Sequence, residues 1–210
     1  MDAQNELYHA LLSVNRPAAT KLLLETVADW TPAARIEKLI TPVMRRIGDE
    51  WESGQVSLAQ NYMSGLICDD LVGAILPATG RATKNHPPLA IVTLEDHHSL
   101  GRKIVSSFVR LAGFDLLDYG PGVTVEDLLV KLKRDGIKIL LISALMLRAA
   151  FRVRDLVALA RAEGLAVKVI VGGAPFIFDG QLWQDVGADA MASTASEAVS
   201  VVERMAREIK

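Results

Sequence analysis

Residues 89–101 read Leu89-Ala90-Ile91-Val92-Thr93-Leu94-Glu95-Asp96-His97-His98-Ser99-Leu100-Gly101. The first six form an apolar run of strand length, and behind the stretch Ile104, Val105, Phe108 and Leu111 recur at the three-to-four spacing of a helix face. Asp96, His98 and Gly101 fit D-x-H-x-x-G between the two. The motif therefore falls on the loop leaving a first strand, at the carboxyl end where open α/β sheets bind their ligands.

Downstream the alternation continues. Apolar runs at Leu116–Tyr119, Ile139–Leu145, Val167–Val171 and Ala190–Ala192 alternate with helical patterns at Gly101–Leu111, Val125–Arg134, Phe151–Ala162, Phe178–Val186 and Ala195–Ile209. Five strands alternating with five helices predict a doubly wound parallel sheet, whose strands read as continuous apolar runs because both faces are covered. Gly113, Gly136, Gly164 and Gly187 fall where helix terminators are expected.

Upstream, the first 80 residues read as helix after helix. Glu6–Val14 is amphipathic, and Arg16-Pro17 opens a helix carrying Leu22, Leu23, Leu24 and Val27, proline being tolerated at a first helical position. Thr31-Pro32 and Thr41-Pro42 repeat the device, with each threonine expected to cap a helix, over Ala33–Ile40 and Val43–Glu52. Gly54 is the expected stop, and Ser57 with Gln60 makes a capping box for a helix running towards Leu76. The expected architecture is α/β: an N-terminal four- to five-helix bundle over 1–80, a polar, helix-breaking linker at 81–88 that ends in Pro87-Pro88, and a flavodoxin-like five-stranded parallel sheet over 89–210.

Composition excludes several classes. The 23 basic and 25 acidic residues are interspersed, leaving no electrostatic footprint for nucleic acid or an anionic membrane. The start has no basic region followed by an apolar core, and no run approaches a membrane span, so a cytoplasmic protein is expected. Cys68 is the only cysteine, which excludes an intramolecular disulfide and a thiolate cluster and suggests a buried packing role.

Chemistry concentrates at three strand ends: Asp96, His98 and Gly101 after the first, Ser143-Ala144-Leu145 after the third, and Gly172-Gly173-Ala174 after the fourth. In a flavodoxin-like strand order these ends adjoin. Singly, each has a plain reading: a hydrogen-bonded loop histidine, a helix-capping serine, a tight turn. Together they suggest more. Asp96 stands close enough to accept the proton of one His98 ring nitrogen and present the other to a metal. One histidine cannot complete a closed zinc site, which needs about four ligands, but a metal held in its own macrocycle needs only one from the protein. A nucleotide- or flavin-binding flavodoxin reading lacks a Gly-rich phosphate loop after the first strand.

D-x-H-x-x-G, then S-x-L, then Gly172-Gly173-Ala174-Pro175 on such a sheet resembles the cobalamin-binding domain shared by methionine synthase, corrinoid methyl carriers and adenosylcobalamin mutases. Gly113-Phe114 and Gly187-Ala188-Asp189 match as well, and the helical half is similar to the cap that precedes this fold in methionine synthase, methyl carriers and cobalamin photoreceptors. The resemblance implies a base-off cobalamin with His98 as lower axial ligand and Asp96 tuning it. It implies that Leu100 and Gly101 approach the corrin, that Ser143, Leu145, Gly172, Gly173 and Ala174 line the slot for the nucleotide tail, and that Trp51 lies over the upper face. Trp51 has a plain alternative as a bundle-core aromatic. His97 has the wrong spacing to Gly101 and is expected to face solvent.

Departures are equally specific. Asn61-Tyr62 stands where the photoreceptor branch has Glu-His, Ala149 where methionine synthase has a relay serine, Glu95 where methyl carriers commonly have glycine, and Met146-Leu147 where a Thr-rich stretch is usual. The function implied is a carrier component shuttling methyl groups between methyltransferase partner proteins, with a corrinoid-reactivating protein as a further partner, rather than a complete enzyme. The alternative is a cobalamin-dependent sensor acting through a protein partner.

Overall fold

The structure, a computed structural model, describes residues 3–75 and 86–209. The chain divides into two compact units, Met1–Ala78 and Thr79–Lys210. Of the expected linker, residues 81–85 lie outside those described.

The first unit is helical: α1 (Ala3–Leu12), α2 (Arg16–Lys21), α3 (Pro32–Arg35), α4 (Thr41–Glu52) and α5 (Leu58–Ile75). A π-helical turn, Leu22–Thr26, extends α2, and another, Ile36–Ile40, joins α3 to α4. Leu7, Leu11, Leu23, Ile36, Ile47 and Ile67 are fully buried at its centre. Thr31 caps α3 through the Ala34 amide at 3.2 Å. The capping box of α5 forms reciprocally, Gln60 N donating to Ser57 Oγ at 3.2 Å and Ser57 N to Gln60 Oε1 at 3.1 Å.

Thr41 departs from expectation. It has helical dihedrals, φ −61° and ψ −48°, and caps nothing; the helical path runs unbroken from Pro32 through Pro42 to Glu52. Proline at 42 removes the amide that would bond the Lys38 carbonyl and crowds that carbonyl with its ring. The π turn ahead of it widens the backbone there, and Gln4 Nε2, from α1, donates to the orphaned Lys38 oxygen at 2.8 Å.

In the second unit β1 (Leu89–Thr93), β2 (Leu116–Asp118), β3 (Ile139–Ser143), β4 (Lys168–Gly172) and β5 (Ala190–Met191) form an all-parallel sheet in the order β2-β1-β3-β4-β5, the flavodoxin-like order. The helices are α6 (Leu100–Leu111), α7 (Val125–Asp135), α8 (Leu147–Ala162), α9 (Ala174–Phe178), α10 (Leu182–Asp185) and α11 (Ala195–Glu208). Successive strand residues face opposite layers. Ala90, Val92, Leu140 and Ile142 pack with Leu128 and Leu132 of α7 and Val153 and Leu156 of α8. Leu89, Ile91, Ile139 and Leu141 pack with Val109 of α6 and Val202 of α11. The four expected terminator glycines all take positive φ at helix ends.

Two helices differ from expectation. α8 begins at Leu147, a turn ahead of Phe151, and the expected helix Phe178–Val186 is two short pieces that start at Ala174. The break falls at Asp179, whose carboxylate accepts the Gln181 amide at 3.0 Å. Such a local side-chain bond offers the backbone an alternative to the helix, and Gly180 inside it removes any side-chain support for continuation.

No helix among the described residues is long and apolar enough to cross a membrane.

Candidate functional site

Parallel pairing aligns the carboxyl ends of the central strands. Thr93 stands opposite Ser143, and Ser143 opposite Gly172, so β1, β3 and β4 deliver their loops side by side.

The β1 loop is dominated by one carboxylate. Asp96 Oδ1 lies 2.5 Å from His98 Nδ1 and accepts the His98 amide at 3.1 Å. Its Oδ2 accepts the amides of Leu145 and Met146, each at 3.1 Å, just ahead of the first turn of α8. A helix N-terminus favours negative charge there. Burial pushes the Asp96 carboxyl up, but the bonds from the His98 ring and from the His98, Leu145 and Met146 amides outweigh it and hold the carboxyl below its usual range. The Asp96 side chain is 3% exposed and that of His98 48% exposed, so the carboxylate is sequestered while the imidazole reaches solvent. With Nδ1 turned to the carboxylate, Nε2 is the nitrogen left for a ligand. Among the described residues no group of three or more His, Cys, Asp or Glu is placed to hold a metal ion.

The glycines of the motif have steric reasons within the chain. A Cβ on Gly173, at φ +116°, would lie 1.9 Å from the Ala144 carbonyl oxygen, and one on Gly172 2.9 Å from that of Ala192. A Cβ on Gly101 would lie 3.1 Å from Ser143 Oγ, so α6 starts directly against the end of β3. Leu100 and Ala174 begin α6 and α9 half-buried, and Leu145, Met146 and Leu147 are exposed after β3. His97 is exposed, as expected, with its ring against the backbone of Gly122. Ala149 is buried in the core, so the chain of bonds behind His98 runs through Asp96 to two backbone amides rather than to a serine at 149.

Trp51 belongs to the first unit and is 41% exposed, so it is not a bundle-core aromatic. The exposed Leu58, Tyr62 and Leu66 stand at four-residue spacing along one face of α5. Cys68 is buried, and burial pushes its thiol up to about 12, the state of an unreactive packing residue.

Several polar groups escaped the reading of the motif. Thr93 Oγ1, Arg102 Nε and Ser106 Oγ are buried without a hydrogen-bond partner, while the Arg102 guanidinium also pairs with Asp118. Thr93 is on the face of β1 that meets α6, the helix that carries Arg102 and Ser106. The available signal was a threonine and an arginine inside otherwise apolar, sheet-facing positions. Glu95 has φ +46°, a left-handed conformation that costs a side-chain-bearing residue roughly 1–2 kcal/mol, and its carboxylate pairs with Arg152.

Comparison with known proteins gives the same answer over both halves. Models described as B12 binding domain match residues 87–203 and residues 3–76. The chain is 33% identical to dimethylamine corrinoid protein 3 of Methanosarcina acetivorans, covering 96% of this chain and 95% of that one. It is 34% identical to monomethylamine corrinoid protein 2 of Methanosarcina mazei, covering 94% of each. The solved structure of the Methanosarcina barkeri monomethylamine corrinoid protein superimposes with a TM-score of 0.83 at 28% identity, covering 95% of this chain and 96% of that one.

Proposed function

The chain belongs to the B12-binding domain family, and from that premise we propose that it is a corrinoid methyl carrier whose His98 is the lower axial ligand of a base-off cobalamin. Bound cobalamin supplies a cobalt centre able to accept a methyl group and give it up.

The residues present fit that group. His98 offers one outward-reaching nitrogen, which is what a macrocyclic metal requires from the protein. Beside it, Thr93, Arg102 and Ser106 carry buried polar atoms without partners, suited to a nucleotide tail entering between β1 and α6. Ser143, Gly172 and Gly173 would flank that tail, and the exposed Leu145 would meet the apolar corrin edge.

The chain's own residues do three things. Asp96 fixes the His98 tautomer and raises its donor strength, because an imidazole whose far N–H is held by a carboxylate is the more basic ligand. The Leu145 and Met146 amides hold Asp96 ionised, so that it accepts the His98 proton without releasing one of its own. Trp51, exposed on the helical unit, would offer an aromatic face to an apolar ligand. A methyltransferase partner would load the carrier, a second would unload it, and a reactivating protein would restore an oxidised cofactor; the relatives' names suggest methylated amines as the donor class.

The observation that carries this reading is the 2.5 Å Asp96–His98 contact at the carboxyl end of β1. The test is electron paramagnetic resonance of the protein loaded with cob(II)alamin. Parent protein should show coupling to one histidine nitrogen, and His98→Ala should lose it; identical spectra would overturn the assignment.

A further inference from the structure

Asp96 and Glu95 are adjacent, and both of their carboxylates are fastened to the start of α8. Asp96 takes the amides that precede the helix, and Glu95 Oε1 accepts from Arg152 Nε at 3.0 Å. Arg152 is held in turn by Asp155 on its own helix and lies 3.6 Å from Glu126 of α7. The Arg152 side chain is 33% exposed and that of Glu95 16%, so the pair is partly withdrawn from water. Between these anchors the backbone turns sharply, because Glu95 occupies the left-handed region at φ +46°. On either side of that turn the chain is pinned to the loop after β2: Glu95 N donates to the Val123 carbonyl at 3.0 Å, and Gly122 N donates to the Asp96 carbonyl at 2.7 Å.

A left-handed residue with a side chain persists only where its surroundings over-determine it. We propose that Arg152 is a positioning residue for the His98 ligand, holding Glu95 in its left-handed turn and so setting the direction from which Asp96 and His98 meet the cofactor. The inference rests on His98 being that ligand. Loss of the Arg152 contact frees Glu95 to relax to negative φ, which rotates the peptide leading into Asp96 and misdirects the imidazole. Glycine at 95 would make the clamp unnecessary, since it takes positive φ without steric cost.

That dependence separates positioning from plain stabilisation. In the full chain loaded with cob(II)alamin, Arg152→Ala should lower the equilibrium constant for histidine ligation about tenfold, the factor that a left-handed conformer's cost implies. Arg152→Ala combined with Glu95→Gly should recover ligation to within about twofold of Glu95→Gly alone. In the cofactor-free protein, the 15N shifts of the His98 ring should move in Arg152→Ala and return in the double variant. Unchanged ligation and ring shifts in Arg152→Ala would overturn the proposal, as would a double variant no better than the single. If Arg152→Ala alone does not fold, Glu95→Gly against the double variant decides: equal ligation supports the clamp, a defective double variant sinks it. A His98→Ala spectrum identical to the parent would instead reject His98 as ligand, and the ring shifts of the cofactor-free protein would still judge Arg152.

Discussion

Asp96 and Met146 are fifty positions apart in sequence, yet the Met146 amide donates to Asp96 Oδ2 at 3.1 Å while the other oxygen of that carboxylate holds the His98 ring. One buried group thus sets the imidazole and ties the β1 loop to the head of α8. Its replacement should disturb both the orientation of the imidazole and the fold.

Asp96→Asn should weaken cobalamin binding by roughly 10- to 100-fold, the usual effect of losing the partner behind a metal-binding histidine. An amide cannot accept from the Leu145 and Met146 amides and the His98 ring together without turning its own N–H groups on one of them. Stability should fall by about 1.5–3 kcal/mol, as expected for bonds to a charged group. Isothermal titration and denaturant unfolding measure the two losses.

Gly173→Ala should prevent the second unit from folding, since the added carbon would meet backbone rather than a movable side chain. Gly136→Ala is the control. It also has positive φ, +61°, but open space around it, and should cost only about 1 kcal/mol. Thermal unfolding of both variants makes the comparison.

Thr93→Val should separate stability from binding. Removing a buried hydroxyl that has no partner should leave the cofactor-free protein as stable as the parent or stabilise it by up to about 1–3 kcal/mol. Cobalamin affinity should drop, because the nucleotide tail would lose a polar contact. A Thr93→Val protein that binds as tightly as the parent would remove Thr93 from the slot.

Asp135 gives a pH signature away from the site. The Arg134 guanidinium, followed by the Tyr119 hydroxyl at 2.8 Å, holds its carboxyl down at about 2, against an ordinary value of about 3.9. Since the folded value is the lower, this stabilisation is fully present above about 3.9 and is lost as pH falls towards 2. Asp135→Asn should therefore show a shallower decline of unfolding free energy between pH 4 and 2 than the parent; an unchanged slope would contradict it.

Much of this was readable without coordinates, and the parts that were not share a cause. The strands announced themselves as apolar runs because both faces of the sheet are covered, and Thr31, Ser57, Gln60 and Gly54 acted as local signals do, through bonds and dihedrals within a few residues. Thr41-Pro42 carried the same signal and misled, because Gln4 supplies the Lys38 carbonyl with a partner from another helix. The break at Asp179 is written locally, in Asp179-Gly180-Gln181, and there the Asp179 bond to the Gln181 amide prevails over the apolar periodicity that predicts one helix.

The site divides along the same line. Sequence alone determined that a histidine and a carboxylate two residues apart would stand at the carboxyl end of the first strand, since strand, loop and helix are set by periodicity and turn chemistry. Only the tertiary structure decided what surrounds them. The Leu145 and Met146 amides on Asp96, Arg152 on Glu95, and the partnerless polar atoms of Thr93, Arg102 and Ser106 depend on residues that meet only once the sheet has assembled. A single chain's spacing encodes local backbone preference; it does not encode which distant donor will find a carboxylate.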